Sequence, residues 1–180
     1  MKKLFFFLFP VLLITVSGFA RDYHLLSPDN HLKLIVYTGD GIRFVVFLAD
    51  KFIAGADNLS MKFTEKGTIG KNVVVNKTIK KENQETLHPA VSVKSSVIEN
   101  HYRELSLICT NNYRIVFRIY NDGIAYRFET TFSDSVTVEK EGVQYLFPKH
   151  TQAFYPREES FFSHNERAYI HLDVPDIQPG

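Results

Sequence analysis

Alternation with a period of two runs through most of this chain, and turn residues interrupt it at short intervals. Leu32, Leu34 and Val36 alternate with Lys33, Ile35 and Tyr37. Ile42, Phe44, Val46 and Leu48 repeat the pattern after Gly39-Asp40-Gly41. In an extended strand successive side chains point to opposite faces, so such a run buries one face and wets the other. These two runs predict a hairpin. Further strand-like runs lie at 59–63, 73–80, 91–98, 105–109, 113–120, 124–132, 136–138 and 143–147. Turn signals separate them at 67–70, Asn111-Asn112, Asn121-Asp122-Gly123 and Glu141-Gly142. Asn121-Asp122-Gly123, between two alternating runs, is the strongest hairpin signal of the set. No helical period persists for three turns. The expectation is an all-β domain built as an antiparallel sandwich or barrel.

The first twenty residues stand apart from this pattern. Lys2 and Lys3 precede an apolar run from 4 to 16, and Ser17-Gly18-Phe19-Ala20 puts small residues at −3 and −1 of a cleavage site. That is the grammar of a secretory signal peptide, and the run is too short to span a membrane. No later stretch reaches spanning length. An exported chain, periplasmic or secreted, is expected to start at Arg21 and to hold 160 of the 180 residues. That length suits one domain with a substantial core. It carries 19 basic against 20 acidic residues, which points to neither nucleic acid nor an anionic membrane as partner. The single Cys109 excludes an internal disulfide, so stability must come from apolar burial. Beside Leu105 and Leu107 on one strand face, Cys109 reads as a small core residue rather than a nucleophile.

The expected sandwich core occupies residues 21–147, and the segment 148–180 is expected to be an irregular connector. Pro148, Pro156, Pro175 and Pro179 punctuate it, and it gathers His150, His164, His171, Glu158, Glu159 and Glu166 with several Tyr and Phe. Pro179-Gly180 reads as a link toward a following domain.

Chemistry-bearing patterns are sparse. There is no Gly-rich phosphate loop, no zinc-spaced Cys/His set and no nucleophile elbow. His164-Asn165-Glu166, with Glu158 and Glu159 nearby, offers oxygen ligands of the kind Ca²⁺ takes, but Ca²⁺ needs 6–8 of them. The same acids also read as a solvated loop. Two carboxylates are the minimum for glycoside hydrolysis, yet nothing local gives one of these a raised pKa. No catalytic residue is assigned. Arg114, Arg118 and Arg127 lie on runs that also carry Tyr120, Tyr126 and Phe128. Such a face can stack on and hydrogen-bond a sugar, or it can be a solvated face of cross-strand pairs involving Arg127 and Glu129. Both readings stay open. Asn58-Leu59-Ser60 and Asn76-Lys77-Thr78 match the glycosylation sequon, which matters only in a eukaryotic secretory pathway.

Four stretches carry a resemblance. They are Ser27-Pro28-Asp29-Asn30, then His101-Tyr102-Arg103-Glu104-Leu105, then the run Phe117-Arg118-Ile119-Tyr120-Asn121-Asp122-Gly123-Ile124-Ala125-Tyr126-Arg127-Phe128, and last Ser163-His164-Asn165-Glu166-Arg167-Ala168-Tyr169. In their order and content the chain resembles the N-terminal domain of glycoside hydrolase family 97. The resemblance implies an antiparallel β-super-sandwich, similar to galactose mutarotase-like domains, that precedes a catalytic (β/α)8 barrel. It implies an exported, Ca²⁺-dependent enzyme acting on α-linked glucosides or galactosides. It also implies that the connector 148–180 packs on that barrel and that Glu166 lends one Ca²⁺ ligand in the full-length enzyme, while the barrel, in cis or in trans, carries the catalytic groups. A domain with that role leaves an apolar patch exposed when isolated. The alternative is a free-standing exported module that binds an α-linked oligosaccharide by itself.

Overall fold

Most of the alternating runs become strands, and in the central ones a buried face meets apolar partners on a second sheet. The computed structural model describes residues 21–91, 94–157, 160, 162 and 167–177. The expected signal segment 1–20 lies outside the described residues. The strands are β1 (Arg21–Leu26), β2 (Leu32–Thr38), β3 (Ile42–Leu48), β4 (Lys51–Phe63), β5 (Gly67–Ile69) and β6 (Val75–Leu87). They continue as β7 (Ile98–Cys109), β8 (Tyr113–Ile119), β9 (Ile124–Thr130), β10 (Val138–Leu146), β11 (Gln152–Pro156) and β12 (Tyr169–Asp173). A 3-10 turn, Val174–Asp176, follows β12. Every pairing is antiparallel. Among the described residues no helix is long and apolar enough to cross a membrane.

Two sheets face each other. The first runs β1-β2-β3-β4-β10, with β5 also on β4, and the second runs β6-β7-β8-β9. From the first sheet Leu34, Val36, Ile42, Phe44 and Leu59 point inward, and from the second Leu105, Leu107, Ile115, Phe117 and Ile119 meet them. Phe44 and Phe117 join the sheets edge to face, with ring centroids 5.8 Å apart. That geometry sets the electropositive ring edge against the π-face. Cys109 lies in this core. Burial pushes its thiol pKa up, which keeps it protonated and poorly nucleophilic.

Both expected hairpins form. Thr38 pairs with Ile42 around Gly39-Asp40-Gly41, and Ile119 pairs with Ile124 around Asn121-Asp122-Gly123. The turn between β7 and β8 uses Asn111 and Asn112, both in the left-handed region that Asn tolerates. Three local expectations differ from the structure. β6 and β7 pair from Leu87 and Ile98 onward, so among the described residues of the expected strand at 91–98 only Ile98 lies in a strand. The expected turn at 67–70 contains β5, whose Ile69 is buried against the core. Glu141-Gly142 lies inside the continuous strand β10, beside a register shift against β4. A side chain at Gly142 would meet the Ser60 hydroxyl at 2.6 Å, so this glycine permits close approach rather than chain reversal.

The segment expected to be an irregular connector carries regular structure, two strands and the 3-10 turn. β11 and β12 form a two-stranded hairpin, with Phe154 opposite His171. Neither strand joins the two larger sheets.

Core packing makes a direct prediction. Phe117→Ala is expected to destabilise the domain by about 3–5 kcal/mol in urea unfolding, the usual cost of emptying a packed aromatic site. A loss below about 1 kcal/mol would mean that the two sheets do not press on Phe117.

Candidate functional site

Arg103 lies on the core-facing side of β7, in line with Leu105 and Leu107 but one step nearer the rim. An arginine there must find acceptors, because an unpaired charge at the edge of an apolar layer is costly. It finds four. Its Nη1 donates to the Ser27 carbonyl at 2.9 Å and to Asn30 Oδ1 at 2.8 Å. Its Nη2 donates to the Pro28 carbonyl at 3.3 Å, and its Nε donates to Glu82 at 3.0 Å. His101 joins the same carboxylate at 2.9 Å. Hydrogen bonds from His101 and Arg103 hold Glu82 below the usual carboxylate range.

The Ser27–Asn30 turn that receives Arg103 is itself tightly organised. Ser27 is fully buried, and its hydroxyl donates to Asp29 while accepting from the Leu32 amide at 2.9 Å. Asp29 also accepts from the His31 amide, and the Asp29 amide donates to Asn121 Oδ1 at 3.0 Å. The bonds from Ser27 and His31, led by the one from Ser27, lower the Asp29 pKa. Three of the four stretches that carry the family resemblance therefore meet at one joint, across the gap between the sheets.

The outer face of the second sheet holds the expected Arg cluster. Arg118 Nε donates to Glu104 at 2.8 Å, and Lys81 reaches the same carboxylate at 3.1 Å. The Glu104 side chain is only 6% exposed. Burial alone would raise its pKa, but hydrogen bonds and charge from Arg118 and Lys81 outweigh this and leave it lowered. The Arg118 guanidinium lies 4.2 Å over the Tyr102 ring, which packs on Tyr120 at 5.4 Å. Arg114 and Arg127 both pair with Glu129, Arg127 at 2.6 Å. Burial acts to raise the Glu129 pKa, and the two arginines bring it below the usual range.

Of the expected aromatic partners, only Tyr120 shares this face with the arginines. Tyr126 and Phe128 turn toward the core, where Tyr126 contacts Phe44 and Phe117. Burial, with Glu141 and Tyr145 nearby, pushes the Tyr126 hydroxyl up to about 12. The hollow lined by Val116, Arg118, Tyr120, Ala125, Tyr126 and Arg127 measures about 120 Å³. Ligand pockets are usually about 300–1,000 Å³. Tyr102, Arg103 and Glu104 stand in a stretch that carries the family resemblance, but their pairing, and the parts of Lys81 and Glu82, come from cross-strand neighbours that local spacing does not reveal.

Glu166, expected as a Ca²⁺ ligand, lies outside the described residues, as do Glu158, Glu159, His164 and Asn165. All five belong to the connection between β11 and β12. Among the described residues no group of three or more His, Cys, Asp and Glu is placed to hold a metal ion. Every described carboxylate with a displaced pKa is displaced downward: Asp22, Asp29, Glu82, Glu104, Glu129 and Glu139. A general acid for glycoside cleavage needs the opposite shift.

Fold and joint together define an antiparallel β-sandwich domain. The chain belongs to the glycosyl-hydrolase 97 N-terminal family, whose model matches residues 25–180. It is 32% identical over 157 residues to the retaining alpha-galactosidase of Bacteroides thetaiotaomicron, covering 87% of this chain and 23% of that enzyme. A glycoside hydrolase family 97 enzyme from Pseudoalteromonas sp. strain K8, solved with panose, matches with a TM-score of 0.69 and 14% identity over 86% of this chain and 25% of that one. The acarbose complex from the same source gives a TM-score of 0.68 and 13% identity over 84% and 24%. At that identity the structural likeness is one of fold. The chain thus spans about a quarter of the length of these relatives.

Glu104 gives a pH-resolved prediction. Its pKa in the folded chain lies below the ordinary 4.5. Its ionic stabilisation is therefore complete above that value and is lost as pH falls through the lowered one. Glu104→Gln is expected to cost about 1–3 kcal/mol at neutral pH, with the gap from the unsubstituted chain closing below pH 4.5 in urea titrations. A gap that stays constant down to pH 3 would assign the loss to packing instead.

Proposed function

We propose that this domain is the non-catalytic N-terminal sandwich of an exported, Ca²⁺-dependent glycoside hydrolase acting on α-linked galactosides or glucosides. Family membership, with 32% identity to a retaining alpha-galactosidase of which the chain spans 23%, is the observation that carries the reading. The domain's part is to pack on a catalytic (β/α)8 barrel and to complete the wall of its active site. Glu82, Glu104 and Glu129 are each held ionised by basic partners, which suits structural ion pairs rather than the protonated acid that hydrolysis needs. The described residues do not make up a Ca²⁺ site by themselves. Calcium belongs to the joined enzyme, with Glu166 supplying one carboxylate and the barrel supplying the other oxygens. Export rests on the segment 1–20.

A free-standing sugar-binding module has less support. Its recognition face would be the Arg cluster of the second sheet. There Arg118, Arg114 and Arg127 are already engaged by Glu104 and Glu129.

Hydrolysis of p-nitrophenyl α-galactoside and α-glucoside tests the reading. The 180-residue chain is expected to show none, with or without Ca²⁺. A version joined to a barrel is expected to cleave one of them and to lose about tenfold or more in Ca²⁺ affinity and activity on Glu166→Gln. Turnover by the chain alone, or an unchanged Glu166→Gln enzyme, would overturn it.

A further inference from the structure

β6 is the longest edge strand of the fold. It runs for 13 residues from Val75 to Leu87 without one buried side chain, and among the described residues it pairs with β7 alone. β7 in turn pairs with β8 only from Arg103 to Cys109. Asn83–Leu87 and Ile98–Tyr102 therefore project past β8 as a two-stranded ribbon. Such a ribbon is marginal in water, and this one turns Leu87 and Ile98 to solvent at 40% and 46% exposure. A further strand on its open edge would supply the ladder partners that β7 cannot. The other edges are poorer templates. β1 and β9 have six and seven residues, and β10 is bent by two register shifts against β4.

The side chains of β6 are ordered about its centre. Ile79, Lys81, Asn83, Glu85 and Leu87 share the outer face, where Lys81 meets Glu104. Lys81 and then Ile79 precede Asn83, and Glu85 and then Leu87 follow it at the same spacing. Across a two-fold axis normal to the sheet, opposed residues of two antiparallel strands share a face. An axis at Asn83 sets Ile79 against Leu87 and Lys81 against Glu85, each twice, with Asn83 against itself. Apolar and opposite-charge pairs stabilise directly opposed positions. On the other face Glu82 meets Gln84 and Lys80 meets Thr86, so no like charges are opposed. An axis at Lys81 or at Glu82 would oppose like charges. Lysines ordinarily keep an edge from pairing, but in this register Lys81 meets a carboxylate. Its side chain is 54% exposed beside Glu104, which leaves ammonium donors for a second acceptor. Asn83 and Asn100 hold the Glu85 carboxylate in place.

We propose that β6 is a dimerisation edge for a second copy of this chain, paired antiparallel over Ile79–Leu87 with the two-fold axis at Asn83. The order of the strand identifies the occupant. A two-fold contact presents the same patch twice and must complement itself, and β6 read backward from Asn83 keeps its apolar positions and exchanges its charges. Main-chain hydrogen bonds supply the attachment and the outer-face pairs supply the register. The pairing joins two four-stranded sheets into one continuous sheet. Each projecting ribbon then lies inside that sheet, beside the better-anchored half of the other copy's β6. The inference uses neither the C-terminal strands nor any residue of the functional reading above, and it stands independently of that reading.

Sedimentation equilibrium of the 180-residue chain over a rising concentration series is expected to show a monomer–dimer equilibrium. Amide exchange is expected to slow at alternate positions of Ile79–Leu87 as the dimer forms. Glu85→Lys sets a second cation against Lys81 and is expected to weaken the dimer at least tenfold, with an unchanged circular dichroism spectrum. Asn83→Cys is expected to give a disulfide-linked dimer under copper and oxygen, because opposed strand positions lie within the Cα separation of about 4.4–6.8 Å that a disulfide spans. The native Cys109 is buried and does not compete. Lys77→Cys is expected to stay uncross-linked, since its two copies would lie roughly 40 Å apart along the paired strands. A chain that sediments as a monomer throughout overturns the inference, as does cross-linking of Lys77→Cys to the same extent as Asn83→Cys. Slow exchange along Ile79–Leu87 in such a monomer would assign the edge to a segment of the same chain and also overturns it. Phe154, exposed and stacked on His171 across the C-terminal hairpin, marks the other surface through which copies could associate. Association lost in Phe154→Ser but kept in Glu85→Lys would place the contact there and overturn the inference.

Discussion

Arg103 stands where the apolar layer between the two sheets gives way to water. The β7 residues below it, Leu105 and Leu107, are held by burial, which has no direction and lets flat faces slide. Arg103 supplies direction. Its guanidinium fork ties β7 to three acceptors of the Ser27–Asn30 turn on the opposite sheet and to Glu82 on its own sheet. Lys80 adds a second crossing by donating to the His24 carbonyl at 2.7 Å. Asn121, at the β8–β9 turn, closes the same joint from the third side. The register of the sandwich, and therefore which side chains face out, depends on this rim.

The outward surfaces then divide by chemistry. On the second sheet every arginine of the outer face has a carboxylate, and Glu104 is buried beneath its partners. Such a surface is complete and gains little from further contact. The C-terminal strands are the opposite case, with flat aromatic rings presented to solvent and little packing behind them.

Much of the fold was legible because period-two alternation has one physical cause, a strand with one buried face. Tyr113, Ile115, Phe117 and Ile119 turned inward as their spacing required. Boundaries were less legible, because pairing partners decide them. The 91–98 run has the right alternation but lies mostly beyond the point where β6 and β7 pair. Gly142 resembles a turn residue, and only the nearness of Ser60 explains it. The site was harder. Arg114, Arg118 and Arg127 share one face, whereas Tyr126 and Phe128 alternate with Arg127 along β9 and turn toward the core. Glu104 gave no local signal, since its importance comes from β6 and β8. Glu166 was named through family resemblance alone.

The joint at Arg103 is tested most directly by Arg103→Met, which keeps the apolar stem and removes the fork. Urea unfolding of the variant and of the unsubstituted chain should show a loss of about 2 kcal/mol or more. Amide exchange should rise specifically in the Ser27–Asn30 turn and at Asn121. Stability within about 0.5 kcal/mol of the unsubstituted chain, with no change in exchange at that turn, would contradict the account, because the sheets would then hold their register without Arg103.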